Sequence, residues 1–413
     1  MMKLREGNAP WRGLDTSEYN LKHSSLEDNQ SCEVVIIGGG MSGAITSYVL
    51  SKQGTDTILL EQEEIGSGSS SANTGLLQYM NDDMLTQLIQ TFGEQKGVGF
   101  YKLCENAVER LSQIASNLSF DAEFRRRSSL YYASDEKDAG KIRTEFDNLS
   151  RHGFQVEYWD RDRIKSFFPF SKSAALYTPR DAEVNPYKMV QTLIFDAVKQ
   201  GLKVYEHSGV EHVDYSENGV TVKTKSGSVK AKTIIWAAGY AAQEWKPDRL
   251  ANLDSTYAIM TQPVEDLSSW YERALVWETK RPYLYMRTTL DNRIVVGGLD
   301  EPLTDKGLSQ EKITKNGQTL LKKVQDLFPT LGNLSISHAW AGVFGTSKDG
   351  APMIGRHPEY PHSYFIEGYG GNGTVYSMIA ADLLAEAVTG KEPDVLNWFS
   401  FTRPLKTNVS ASS

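Results

Sequence analysis

Three glycines set the chemistry: Gly38, Gly40 and Gly43, spaced G-x-G-x-x-G. A short apolar, β-branched run at 34–37 precedes them, a helical pattern follows, and a second apolar run at 57–60 ends in Glu61. The spacing suits a pyrophosphate. Gly38 allows a sharp turn, Gly40 lets phosphate approach bare backbone, and Gly43 lets helix and strand pack closely. The helix N-terminus offers free N–H groups and the positive end of its dipole. Glu61 stands 23 residues after Gly38 (61 − 38), where a carboxylate can accept hydrogen bonds from ribose hydroxyls. An acid there disfavours a 2′-phosphate, leaving FAD or NAD rather than NADP.

Other residues could take part. The stretch 66–75, GSGSSSANTG, is too rich in glycine and serine for a strand or helix, and its hydroxyls and N–H groups suit a pyrophosphate or ring edge. The alternative is a flexible surface loop. A strand over 233–236 stops at Ala237-Ala238-Gly239, where backbone can lie against a cofactor or simply pack. Arg287 carries a guanidinium suited to binding a carboxylate bidentately, and is read evenly against an ordinary surface strand residue. Tyr283, Tyr285 and Tyr369 would be polar-tipped walls. The 7 histidines show no metal-ligand spacing, so no metal is predicted. No serine sits in a G-x-S-x-G context, leaving a hydrolase unsupported.

The elements that must position these groups follow in order. Residues 84–118 carry apolar side chains at helical spacing, with Gly93, Gly97 and Gly99 as expected dividers. Asn185-Pro186 reads as a helix cap with proline at the first position, and 203–205 as a third parallel strand. Residues 210–235 alternate as a β-meander with turns at Asn218-Gly219 and Ser226-Gly227. Strands are expected at 257–263, 283–287 and 293–297, helices over 308–328 and 374–388.

The chain has 413 residues and a net charge of −8, which suits two or three domains and speaks against a nucleic-acid partner. No apolar run approaches the roughly 18 residues needed to span a bilayer. The polar first 30 residues lack a signal-peptide pattern, and two cysteines, Cys32 and Cys104, make no disulfide framework, so a cytoplasmic setting is expected. Trp11 and Tyr19 are expected to pin residues 1–30 to the surface as an extended arm.

Together the motifs GGGMSG, GSGSSSANTG, TIIWAAG, HAWAGVFGTSKDGAPMIG and EGYGGNG, in that order, resemble the FAD-dependent D-amino-acid oxidase superfamily, over about residues 32–390. The resemblance implies an α/β fold: a Rossmann-like FAD-binding domain with a β-meander, interleaved with an α+β substrate domain on a mostly antiparallel sheet. The expected FAD part is 31–80, 151–256 and 337–413, and the substrate part 81–150 and 257–336. Implied cofactor contacts are Gly38, Gly40, Met41, Ser42, Gly43, Glu61 and Gln62 at the first turn. Ser67, Ser70, Ser71, Asn73 and Thr74 follow on the second loop. Val210, Ala238 and Gly239 belong to the meander and its strand end, and Gly342, Gly370, Gly371, Asn372, Gly373 and Thr374 to the C-terminal block. Arg287, Tyr285 and Tyr369 are the implied substrate-side residues.

The implied activity is oxidation of a C–N bond in an amino acid or related amine. Hydride passes to flavin N5, and the imine formed hydrolyses to a carbonyl product. O2 or a quinone or other electron-transfer partner would take the electrons. Two alternatives stay open, a non-catalytic flavoprotein subunit and an NAD-dependent dehydrogenase. Gly342 stands where covalent relatives attach flavin through cysteine, so non-covalent FAD is implied. Val295 stands where sarcosine oxidases carry an oxygen-activating lysine, and Val375 where they carry a carboxylate-binding lysine. Sarcosine as substrate and O2 as obligate acceptor are therefore disfavoured.

Overall fold

The computed structural model describes residues 4–11, 22–246, 250–304 and 307–404. Two sheets organise them. The smaller has eight strands, with a parallel centre ordered Tyr360–Glu367, Ser228–Trp236, Asn29–Ile37, Thr57–Leu60, Lys203–Tyr205. Val34, Val35, Ile36 and Ile37 are buried on both faces, as a continuous apolar run in a parallel sheet should be. The meander, Val210–Ser216, Gly219–Thr224 and Ser228–Trp236, pairs antiparallel and feeds its last strand into that sheet.

The larger sheet has ten strands, all antiparallel except where Leu275–Glu278 meets Arg125–Tyr132. Helix Gln310–Leu327 covers one face, burying Ile313, Leu320 and Val324. Against the smaller sheet lies Met41–Lys52, the helix opened by the glycine turn. It is buried from Met41 to Ser51 and packs against Pro186–Lys199 and Gly373–Ala387. Its lack of an exposed stripe follows, because neighbours cover it all round. Asn185 caps the second of these helices, accepting from Lys188 N at 3.1 Å, with Pro186 at the first position.

Several expectations need correction. Glu157–Asp160, Ala174–Glu183, Ala251–Thr261 and Ile336–Ser347 lie wholly or partly in ranges expected with the FAD half, yet all pair into the larger sheet. Ala174–Glu183 is placed by pairing with Arg125–Tyr132, and Ala251–Thr261 by pairing with Ile336–Ser347, neither of which local pattern reveals. Gly97 and Gly99 do not divide the helix Glu94–Ala115. A Cβ on Gly97 would lie 2.8 Å from Ile89 N and one on Gly99 2.6 Å from the Trp398 ring, so these glycines serve close packing. Ser69–Ala72, read as loop, makes a turn of 3-10 helix. The described part of the arm needs no correction: Arg5–Gly7 is an extended strand pairing with Ile336–Ser347, and Trp11 is buried. Tyr19 lies outside the described residues.

Candidate active site

The first turn is built as its glycines require. Gly38 has φ +107°, a conformation open to glycine at little cost. A Cβ on Gly43 would fall 1.8 Å from the Gly38 carbonyl oxygen, so helix and strand touch there. Met41 N, the first donor of the helix, is held by Ser70 Oγ at 2.8 Å, which brings the second loop against the first. Glu61 accepts from Gly39 N at 2.7 Å and from Glu63 N at 2.8 Å. Burial raises its pKa, and these N–H donors oppose the shift. Glu61→Gln removes a charge-assisted acceptor, worth about 1.5–3 kcal/mol. FAD affinity in that variant, followed by flavin fluorescence, should fall; unchanged affinity would remove Glu61 from the ribose.

The second loop is hung by its carbonyls. Trp340 Nε1 donates to Ala72 O at 2.8 Å, Trp11 Nε1 to Asn73 O at 2.7 Å, and Arg287 Nε to Thr74 O at 2.7 Å. Asn73 Oδ1 accepts from Gly75 N at 2.7 Å. Ser71 is fully buried and donates to Ser67 O and Gly68 O.

The C-terminal loop is tied to the stretch 78–82 and, through Asp82, to Tyr283. Asp82 accepts from Gly371 N at 2.8 Å through one oxygen and from Tyr283 Oη at 2.8 Å through the other. Asn372 Nδ2 donates to Gln78 O at 2.8 Å and Asn81 Oδ1 at 2.9 Å. Ser42 Oγ lies 3.1 Å from Tyr369 Oη and 2.8 Å from Ser377 Oγ, joining the starts of helices Met41–Lys52 and Gly373–Ala387.

All three loops face one cavity of 870 Å³. Its wall includes Gly38, Gly40, Met41, Ser42, Glu61 and Gln62 from the first turn. Ser67, Ser70, Asn73 and Thr74 come from the second loop, and Val210, Ala238 and Gly239 from the meander and its strand end. Gly342, Gly370, Gly371, Asn372, Gly373 and Thr374 complete the set, with Tyr285 and Tyr369 also on the wall. Gly43 and Ser71 lie behind the wall, the first in the helix–strand contact and the second inside its own loop.

Arg287 is not on that wall, and its guanidinium is fully engaged elsewhere. Besides Thr74 O it donates to Thr288 O and Val184 O, each at 3.0 Å, and stands 3.7 Å from Glu183. Its ring neighbour is Trp11, 5.4 Å from the guanidinium carbon to the centroid. A carboxylate clamp needs a free fork; this one holds backbone together. The reading of Arg287 as a substrate residue is corrected accordingly. Nor is it a surface residue, being 3% exposed.

Among the wall residues that sequence reading missed are Asp82, Trp277, Asp300 and Arg5. Asp300 faces Thr256, and burial, with Asp82 and Asp254 nearby, pushes its carboxyl up to about 6. No motif marks it; it sits three residues beyond the expected strand. The hydroxyls of Tyr285 and Tyr369 are held protonated by burial, their pKa values raised well above the ordinary phenol. No lysine lines the cavity among the described residues.

Two helix N-termini, a glycine cradle and a buried acid facing one cavity are a donor set that fits a dinucleotide with a ring at the far end. A family model described as "FAD dependent oxidoreductase", the DAO family, matches residues 33–387. The chain belongs to that family. The match settles FAD as cofactor and sets aside both the NAD-dependent and the non-catalytic alternatives. The chain is similar to glycine oxidase of Bacillus subtilis strain 168, 26% identical over 365 residues, covering 87% of this chain and 94% of the relative. It is also similar to gamma-glutamylputrescine oxidoreductase of Escherichia coli K12, 25% identical over 376 residues, 89% of this chain and 85% of the relative. Among solved structures, glycine oxidase from Geobacillus kaustophilus superposes with TM-score 0.79 at 21% identity, covering 92% of this chain and 100% of the other. That likeness is one of fold. No helix among the described residues is long and apolar enough to cross a membrane.

Proposed function

We propose that the chain oxidises the C–N bond of an amine or amino acid, with non-covalently held FAD taking the hydride at N5. One observation carries the reading. The glycine loop at 370–373 and a wall of the larger sheet, Thr256, Tyr283, Tyr285 and Asp300, border the same cavity as the dinucleotide turn. A substrate held against that wall would share the cavity with the bound cofactor. When bound, FAD supplies a two-electron acceptor; the chain supplies position and electrostatics. The N-terminus of Gly373–Ala387 offers its dipole to negative charge near the ring. Neither cysteine lines the cavity, which supports non-covalent FAD. Val295, standing where sarcosine oxidases carry an oxygen-activating lysine, supports an acceptor other than O2.

On the substrate side, Tyr285 and Tyr369 line the cavity and Asp300 adds a carboxylate. Asp300 is the anchor for a substrate ammonium group. It is protonated below about 6 and charged above it, so amine affinity should rise as pH increases through that value. Asp300→Asn should flatten the step in KM against pH; a step that persists would remove Asp300 from the role. The reaction itself is tested anaerobically. A panel of D-amino acids, N-methyl amino acids, glycine and γ-glutamylated polyamines is added to the yellow protein. Bleaching by one class identifies the substrate, and its rate of recolouring with O2 against an artificial acceptor separates oxidase from dehydrogenase. No bleaching by any amine would end this reading.

A further inference from the structure

The family match begins at residue 33, yet Leu4, Arg5, Glu6 and Gly7 line the cavity. We propose that residues 4–11, ahead of the dinucleotide fold, form a strap that orders the FAD site, with Trp11 as its principal positioning residue. Described residues ahead of that fold reach the site at two places.

At the ring end, Arg5–Gly7 adds an edge strand to Ile336–Ser347, with Arg5 opposite Gly342 and Gly7 opposite Trp340. Asn8 N donates to Ala339 O at 3.0 Å and Val343 N to Leu4 O at 2.9 Å, extending the ladder at both ends. Arg5 Nε donates to Ser67 O at 2.8 Å, at the start of the second loop. Trp11, 3% exposed, then donates to Asn73 O and covers Arg287, the group that holds Thr74 O. Trp11, Trp340 and Val295 share a small apolar cluster with Tyr187, Ala258 and Met260. The loop that faces the cofactor is thus fixed from behind by a residue outside the family's match.

At the ribose end, His23 N donates to Glu206 at 3.0 Å, and the other oxygen of Glu206 accepts from Ile65 N at 2.7 Å. Leu26 N donates to Ser208 Oγ at 2.9 Å, and Ser208 is itself on the cavity wall. Residues 4–11 and residues 23 and 26 thus each brace a part of the site wall or its support. A constraint that orders the loop before FAD arrives removes an ordering cost from binding. By linkage, FAD must stabilise the strap by as much as the strap stabilises FAD.

The test uses full-length holoprotein. Trp11→Phe keeps the ring and loses the donor to Asn73 O, and FAD dissociation, read from the fluorescence of released flavin, should quicken by roughly five- to thirty-fold. Trp270→Phe is the control. Trp270 also donates to a carbonyl, Ala274 O at 2.7 Å, but in the core beneath the larger sheet. It should lower thermal stability without quickening FAD release. Gly7→Ala, whose Cβ would stand 2.6 Å from Ala339 O, should act like Trp11→Phe by loosening the edge strand. Hydrogen exchange in unsubstituted protein should show residues 4–11 protected on adding FAD to apoprotein. FAD release at the unsubstituted rate from both strap variants, equal release from Trp270→Phe, or exchange at 4–11 indifferent to FAD would each overturn the proposal.

Discussion

Arg287→Ala should unfold the site rather than weaken a substrate. Three carbonyls, of Thr74, Thr288 and Val184, lose their donor. Each buried acceptor left bare costs about 1–3 kcal/mol. Glu183, 1% exposed, keeps Arg127 at 2.8 Å but loses its second cation. Because Arg127 remains, this loss adds less than the roughly 3–5 kcal/mol of an unpaired buried charge. Burial already draws the Arg287 pKa down from its ordinary value, with the Glu183 charge opposing. The net expectation is a fall in Tm on the order of 10 °C, with the purified protein losing yellow colour. Arg287→Lys should rescue little, since a point charge cannot span carbonyls arranged for a planar fork. Calorimetry and FAD content together decide the matter. Normal stability and full FAD, with a raised KM confined to carboxylate substrates, would return Arg287 to the substrate side.

Gly43→Ala should abolish FAD binding. Its added Cβ would meet the Gly38 carbonyl at 1.8 Å, and that oxygen belongs to backbone which cannot rotate away. Helix Met41–Lys52 must then lift from the strand, at a cost of about 1–3 kcal/mol or more, and its N-terminus leaves the phosphate position. Gly54→Ala makes the comparison sharp. Gly54 has φ +78° but nothing within 4 Å of a Cβ. Its cost is therefore only the strain of a left-handed residue, about 1–2 kcal/mol, with FAD retained. Equal FAD affinity in the two variants would show that the close contact at Gly43 does not set the cofactor site.

How much of this was legible in the residues depends on range. The glycine turn, its acid and the C-terminal glycine loop could be read because each is a local pattern with a local physical reason. Asn185-Pro186 was legible for the same reason, as was the meander. What failed was long-range. Ala174–Glu183 looks like any apolar strand, and only its pairing with Arg125–Tyr132 places it in the larger sheet. Gly97 and Gly99 look like helix breakers until the chains that press on them are in place. Arg287 was singled out for the right strand and the wrong reason. Its type suits a carboxylate, but nothing in the neighbouring sequence announces three carbonyls converging on it. Asp300 carries no motif, and its altered acidity arises only from folding.

The hydroxyl bridge from Ser42 to Tyr369 and Ser377 has a consequence for biosynthesis. It fastens the earliest motif emerging from the ribosome to one made near the end of translation. Contacts so far apart along the chain form slowly. A nascent polypeptide halted before residue 370 should therefore be unable to capture flavin, however complete its first nucleotide turn. Flavin uptake by stalled chains of increasing length should appear abruptly once that late segment has left the exit tunnel.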